Sequence, residues 1–356
     1  MKALLLSTYD SITPTPTLPL ALYHLKPVLE EANIKTEIID ICFEDDRESL
    51  IKNKILDFQP DVIGLSIKYQ SFEGSRTDTN QDEIVINFVK YIREVTDSVI
   101  VLGGAGFSGS PQYFLNISGV KYGITGEGEE SLVDFINAIC EGRDPEQLQI
   151  GGLIWKNDDG TFSSIPRQKY ADITKFPTSE RINVDPHYIK GYGFIPINGI
   201  QTCRGCSFKC IMCNIKYSEG DIERTDSPEK VIAQIRADEE KGFKGFYIAD
   251  TIFNRPIKHA HDICDAFIEN NIKGPWSATC TPLGFTKDLA VKMKATGCTI
   301  VTLGIDTADR TLLKKWRKGF DVESIIDAVN ICREVGLVGI VTLCIGGPGE
   351  TIETFN

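Results

Sequence analysis

Apolar residues along this chain fall in short runs, and longer stretches with helical spacing separate them. In the first half, runs at 3–7, 35–39, 62–67, 99–103 and 122–125 read as strands. Helical patterns lie at 19–32, 47–57, 83–95 and 130–140, with a shorter one near 111–117. Pro27 falls inside the first and predicts a kink or a break there. The second half repeats the rhythm, with strands at 197–201, 245–249, 276–279, 300–305 and 339–344. Its helices are predicted over 227–241, 258–270, 287–295 and 322–335. Ser227 followed by Pro228 is a helix start, Asp321 caps the last of these helices, and Gly336 ends it. Strands alternating with helices imply parallel α/β architecture, whose sites lie at the carboxyl ends of strands.

Two architectures follow. The first is a doubly wound sheet of five parallel strands over residues 1–150, which takes a ligand in the crevice beyond its carboxyl edge. That edge carries Ser66, Gly103-Gly104-Ala105-Gly106 and Gly126-Glu127-Gly128-Glu129-Glu130. Glycines there admit close approach of backbone to a ligand, and helix starts offer N–H donors. The second is a partial (β/α) barrel over 196–356. Between them, residues 151–195 read as a connector: a hairpin turning at Asp159-Gly160, then an extended, proline-containing stretch.

Composition narrows the function. With 356 residues, 42% apolar and 25% charged, the chain has the make-up of a globular protein of about two domains. Acidic residues outnumber basic ones 50 to 38, for a net charge of −12, which argues against a nucleic-acid surface. No apolar run is long enough to span a membrane. Met1 to Leu6 is too short for a signal segment, and eleven cysteines without one fit a reducing cytoplasm.

The chemistry concentrates in Arg204-Gly205-Cys206-Ser207-Phe208-Lys209-Cys210-Ile211-Met212-Cys213-Asn214. Four readings compete: a disulfide, a zinc site, a closed four-thiolate cluster that includes Cys203, and an open cluster on three cysteines. A reducing compartment opposes the disulfide. Zinc ribbons separate their Cys pairs by roughly 15–20 residues, whereas three residues separate Cys206 from Cys210 here. Ferredoxin runs have different spacings and end in Cys-Pro. Three thiolates on a [4Fe-4S] cube leave one iron open, and the spacing agrees best with that.

Cys206-x-x-x-Cys210-x-x-Cys213 resembles the signature of the radical S-adenosylmethionine (SAM) superfamily. The resemblance implies that the open iron chelates the amino and carboxylate groups of SAM, and that an injected electron breaks a carbon–sulfur bond to give a 5′-deoxyadenosyl radical. It makes Cys206, Cys210 and Cys213 the metal ligands and Cys203 an extra buried thiol. Met212 stands where relatives carry an aromatic residue against adenine, and Ser207 where Pro is frequent. Asp250 resembles an acidic turn after the second barrel strand, and Asp306 a polar residue near the SAM ribose. Ile345-Gly346-Gly347-Pro348-Gly349-Glu350 resembles the family's adenine motif, with Leu343 in place of its first Gly. Ile345, Gly347 and Glu350 are the expected contacts. The segment from Leu313 to Gly319 is similar to the family's stretch after strand four. Relatives continue with a sixth strand and a further region, so a truncated piece is expected here.

The first half resembles the cobalamin-binding, flavodoxin-like domain of one branch of that superfamily, through Leu102-Gly103-Gly104, Gly126-Glu127-Gly128-Glu129 and the loop from Thr13 to Pro19. Ser66, Gly103, Gly104, Gly126, Glu127 and Gly128 are the implied cobalamin contacts. Asp10 is followed by Ile12 and Thr15 where mutases carry the histidine motif, and His24 falls in a helix, so the cofactor's lower face is expected to lack a histidine. The resemblance implies a [4Fe-4S] cluster, SAM and cobalamin, an electron donor such as flavodoxin or ferredoxin, and a small-molecule or peptide substrate. The expected reaction is methyl transfer to an unactivated carbon: one SAM methylates cobalamin where the halves meet, another is cleaved, and the substrate radical takes the methyl group. Alternatives are a non-methylating rearrangement or cyclisation, or a cobalamin sensor or carrier with an inactive barrel. A tRNA methylthiotransferase is disfavoured, because residues 1–150 carry only Cys42 and Cys140.

Overall fold

The computed structural model describes residues 1–9, 16–68, 81–179, 181, 184–190 and 198–355. Asp10, Ile12 and Thr15, and the start of the loop from Thr13 to Pro19, lie outside them. The chain divides into two compact units, 1–185 with 217–219, and 186–216 with 220–356.

In the first unit the order is β1 (Lys2–Ser7), α1 (Leu20–Glu31), β2 (Lys35–Ile39), α2 (Arg47–Phe58), β3 (Val62–Ser66), α3 (Gln81–Arg93) and β4 (Val99–Gly103). Then come α4 (Ala105–Gly109), α5 (Pro111–Ser118), β5 (Tyr122–Ile124), α6 (Glu129–Cys140), β6 (Leu153–Lys156) and β7 (Phe162–Ser164). The sheet runs β2-β1-β3-β4-β5-β6-β7. Its first five strands are parallel, in the flavodoxin-like order expected. The predicted hairpin forms, but it does not stand apart as a connector. β6 pairs antiparallel with β5, and β7 with β6, so the sheet has seven strands and the first unit extends past residue 150. Both faces are buried: Leu4 and Leu6 enter one core, Ala3 and Leu5 the other. This is the burial that helices on both faces of a parallel sheet produce.

Pro27 neither ends nor breaks α1: of the two outcomes expected, the break does not occur, and the helix runs through it. Proline cannot donate to the carbonyl four residues earlier. The hydroxyl of Ser179 donates to that Tyr23 carbonyl at 3.1 Å instead.

The second unit opens with α7 (Pro186–Lys190), β8 (Gly199–Ile200), β9 (Cys203–Arg204), the first residues of α8 (Ile215–Ser218) and β10 (Arg224–Thr225). It continues with α9 (Pro228–Glu240), β11 (Phe246–Ile248), α10 (Ile257–Glu269), β12 (Trp276–Cys280), α11 (Lys287–Ala295) and β13 (Cys298–Asp306). α12 (Arg310–Lys315), α13 (Val322–Val335), β14 (Val338–Leu343) and α14 (Ile352–Phe355) complete it. Five parallel strands are ordered β14-β13-β12-β11-β8, an open barrel wall, as expected. Part of the predicted first strand lies outside the described residues. Trp276 is fully buried among Phe246, Phe253 and Phe267, with its indole N–H on the Thr296 carbonyl at 3.0 Å. The helix ends follow the sequence. Ser227 caps α9, Asp321 caps α13, and Gly336 closes α13 at a φ of 76°.

Candidate functional site

The cysteine loop leaves the carboxyl end of β8, held from below by Asp250 at the end of β11. The Oδ1 of Asp250 accepts from the main-chain N–H of Thr202 at 2.6 Å and of Cys203 at 2.9 Å; Oδ2 accepts from the Thr202 hydroxyl at 2.6 Å. That hydroxyl also faces Nε2 of His259 at 3.1 Å. A hydroxyl that gives its hydrogen to a carboxylate has only lone pairs left, so Nε2 of His259 is the donor. Thr202, Asp250 and His259 are all buried, and burial pushes the His259 pKa down, which keeps the imidazole neutral. The Asp250 carboxylate is thus buried and engaged with the loop's entry, which it braces.

Cys203 and Arg204 pair antiparallel with Thr225 and Arg224, a ribbon that starts the loop and that the sequence did not predict. The N–H of Cys206 then donates to the Gly220 carbonyl at 3.2 Å. Glu223 accepts from the N–H and hydroxyl of Ser207 at 3.0 and 2.6 Å, and the Arg255 guanidinium lies 4.7 Å above the Phe208 ring. Further along, the N–H of Ile211 donates to the Trp316 carbonyl at 3.1 Å, and Cys213 donates to the Cys210 carbonyl at 3.3 Å.

The thiol of Cys206 is buried, those of Cys210 and Cys213 half-buried. Burial pushes the Cys206 pKa up, and the neighbouring Cys213 and Cys210 add to the rise. Burial also raises the Cys210 pKa, against the opposing pull of the Lys318 ammonium. Both shifts oppose the thiolate forms of Cys206 and Cys210, which a bound metal would favour. Three thiol donors on one loop, one buried and two half-buried, suit a cube of irons that takes each thiolate on a different metal. Cys203 is buried with its sulfur 3.8 Å from the Arg204 carbonyl, the buried thiol expected.

The ends of β13 and β14 border the same loop. Sδ of Met212 lies 3.9 Å from Sγ of Cys344, which follows β14. Cys344 in turn donates its N–H to the Asp306 carbonyl at 2.8 Å. Asp306 ends β13 with a φ of 63° and forms an ion pair with the buried ammonium of Lys318. The turn after β14 closes when Glu350 accepts from the N–H of Gly346 and gives its own N–H to the Gly347 carbonyl. Ile345 is 73% exposed, open to a ligand. Met212, Asp306, Ile345, Gly347 and Glu350 thus lie on three neighbouring loops of one unit.

In the first unit, Ser66 pairs in register with Ser7 on one side and Gly103 on the other, forming a row along the carboxyl edge. Gly104 has a φ of 96°, and a Cβ there would stand 2.5 Å from the Ile67 carbonyl oxygen. Gly126 has a φ of 76° and donates its N–H to the Ser108 hydroxyl oxygen at 2.9 Å. Glu127 turns inward: it is buried and accepts from the N–H of Ala171 at 3.3 Å. Arg167 donates to the carbonyls of Thr125 and Glu127 and to the Ser131 hydroxyl, which braces the turn. Glu127 therefore also holds the edge from inside.

The radical SAM superfamily model matches residues 200–356, and the B12 binding domain model matches residues 13–136. Residues 200–356 belong to the radical SAM superfamily. Among the relatives of this chain is the uncharacterized methyltransferase PH0819 of Pyrococcus horikoshii, 28% identical over 345 residues. That similarity covers 96% of this chain and 72% of the relative. The tryptophan 2-C-methyltransferase of Streptomyces laurentii is 23% identical, over 96% of this chain and 67% of the relative. In fold, the radical SAM methyltransferase TsrM of Kitasatospora setae, solved with cobalamin and a [4Fe-4S] cluster bound, superposes with a TM-score of 0.86. It shares 24% identity, and the match covers 99% of this chain and 68% of that one.

Several supporting residues were invisible in the sequence. Thr202, Glu223, Arg255 and Arg167 stand far along the chain from their partners, and no local spacing marks them. Trp316 and Lys318 lay within a segment noted only for its resemblance.

Proposed function

We propose that this protein is a cobalamin-dependent radical SAM methyltransferase that reductively cleaves SAM and methylates an unactivated carbon of a small molecule or peptide. The observation that carries the reading is the three-cysteine loop at the end of β8, bordered by the ends of β13 and β14. It occurs in a chain whose other unit is a doubly wound sheet with a glycine-lined carboxyl edge. Cys206, Cys210 and Cys213 would hold the cluster, and Met212, Asp306, Ile345, Gly347 and Glu350 would meet SAM. Ser66, Gly103, Gly104, Gly126 and Gly128 would approach cobalamin. When bound, the cluster supplies the electron that splits a sulfonium carbon–sulfur bond, and cobalamin supplies a carrier for the methyl group.

The protein's own residues supply position and charge. Asp250 and Thr202 fix where the loop begins, and Glu223 and Arg255 fix its outer turn. Lys318 balances Asp306 and sets a positive charge beside Cys210, which favours the thiolate. The methyltransferase names of the relatives support the reaction class. A reducing protein such as flavodoxin or ferredoxin would deliver the electron.

The test is anaerobic reconstitution with iron, sulfide and cobalamin, then reduction with SAM present. The expected result is about four irons per chain, bound cobalamin by absorbance, and formation of 5′-deoxyadenosine. Iron and SAM cleavage without cobalamin would end the methyltransferase reading and leave a radical enzyme. A single zinc would end both.

A further inference from the structure

Trp316 is fully buried, yet it touches both loops that border the proposed cluster. Its carbonyl accepts from Ile211 inside the cysteine loop at 3.1 Å. Its indole N–H donates to the Pro348 carbonyl, in the turn after β14, at 2.9 Å. The ring also packs under Gly347 so tightly that a Cβ there would stand 2.3 Å from Cζ2. The next residues continue the contact: the Arg317 carbonyl lies 3.7 Å from Sγ of Cys210, and Lys318 pairs with Asp306. One segment therefore links the cysteine loop with the ends of β13 and β14.

We propose that Trp316 is a positioning residue that sets the 345–350 turn at a fixed height over the cysteine loop, and so controls affinity for the adenosyl end of SAM. This rests on the reading above, in which that loop holds the cluster and that turn meets SAM. The physical reason is order. The turn carries Gly346 and Gly349 at φ of 83° and 82°, and its apolar Ile345 is exposed. Little but the indole anchors it among the described contacts, and a turn that must be ordered by its ligand binds more weakly.

The test compares wild type, W316F, G347A and the double variant after anaerobic reconstitution, measuring SAM affinity by equilibrium dialysis. Iron content and the electron paramagnetic spectrum of the reduced protein without SAM are recorded alongside. W316F keeps the main-chain bond to Ile211 and loses the indole N–H. Its iron content and spectrum should match wild type, while SAM binds about three- to tenfold more weakly, the worth of one hydrogen bond. G347A in the wild-type background should weaken SAM binding at least as much. In the W316F background it should cost measurably less, because the smaller ring makes room for the methyl. Wild-type SAM affinity in W316F, or an equal effect of G347A in both backgrounds, would overturn the proposal, the latter showing that Gly347 answers to SAM directly. If W316F does not fold, unchanged affinity in G347A overturns it alone. A wild-type protein that takes up no iron, or binds no SAM, removes the underlying reading and this inference together.

Discussion

Asp250 shows how a residue singled out in the sequence takes on bonds that only its surroundings supply. An acidic residue just past a barrel strand reads as a ligand contact, and the strand-end rule places it rightly. Only the fold brings the N–H groups of Thr202 and Cys203, 48 and 47 residues away, onto its oxygens. Asp250→Asn keeps the shape but turns an acceptor into a donor that faces those N–H groups. Loss of iron to a chelator should then quicken about 10- to 100-fold, the usual effect of removing a residue that orients metal ligands. Thr202→Ser keeps the hydroxyl and should stay near the wild-type rate. The cysteines are expected to divide as the resemblance implies. Alanine at Cys206, Cys210 or Cys213 should abolish stable iron binding, whereas Cys203→Ala, whose thiol points at the Arg204 carbonyl, should retain iron and its absorbance.

At the scale of elements, local signals read well where the physics is local. Ser227, Asp321 and Gly336 stand at the helix ends they predicted, because a cap needs only the first or last turn of its own helix. The Asp159-Gly160 turn also formed, with Gly160 at a φ of 85°. The fate of that hairpin was not legible, because an edge strand's partner lies elsewhere in the chain. What serves the carbonyl opposite Pro27 was not legible for the same reason. Its orphaned acceptor finds Ser179, 156 residues from Tyr23. Ser179→Ala should therefore lower stability by about 1 kcal/mol in urea unfolding, since it leaves a buried carbonyl unpaired. With Pro27→Ala in place the helix supplies its own donor, and the same serine substitution should cost clearly less. Equal costs in both backgrounds would show that the serine does not serve that carbonyl.

Across the whole molecule, each unit has its own hydrophobic core, so the two proposed cofactor sites should fail separately. Gly104→Ala forces a methyl to 2.5 Å from the Ile67 carbonyl at a φ of 96°. It should cut cobalamin retention while iron content stays at the wild-type level. The triple alanine variant of Cys206, Cys210 and Cys213 should do the reverse, losing iron and keeping cobalamin; absorbance reads both. The sequence alone determined the strand–helix alternation, the parallel sheets it implies and the three-cysteine loop, since periodicity, caps and ligand spacing act over a few residues. Tertiary structure alone decided that Asp250 and Glu127 face inward, that the hairpin joins the first sheet, and that Trp316 bridges two loops. Those outcomes depend on which distant main-chain groups arrive unpaired at a given side chain, and that is known only once the strands have taken their order.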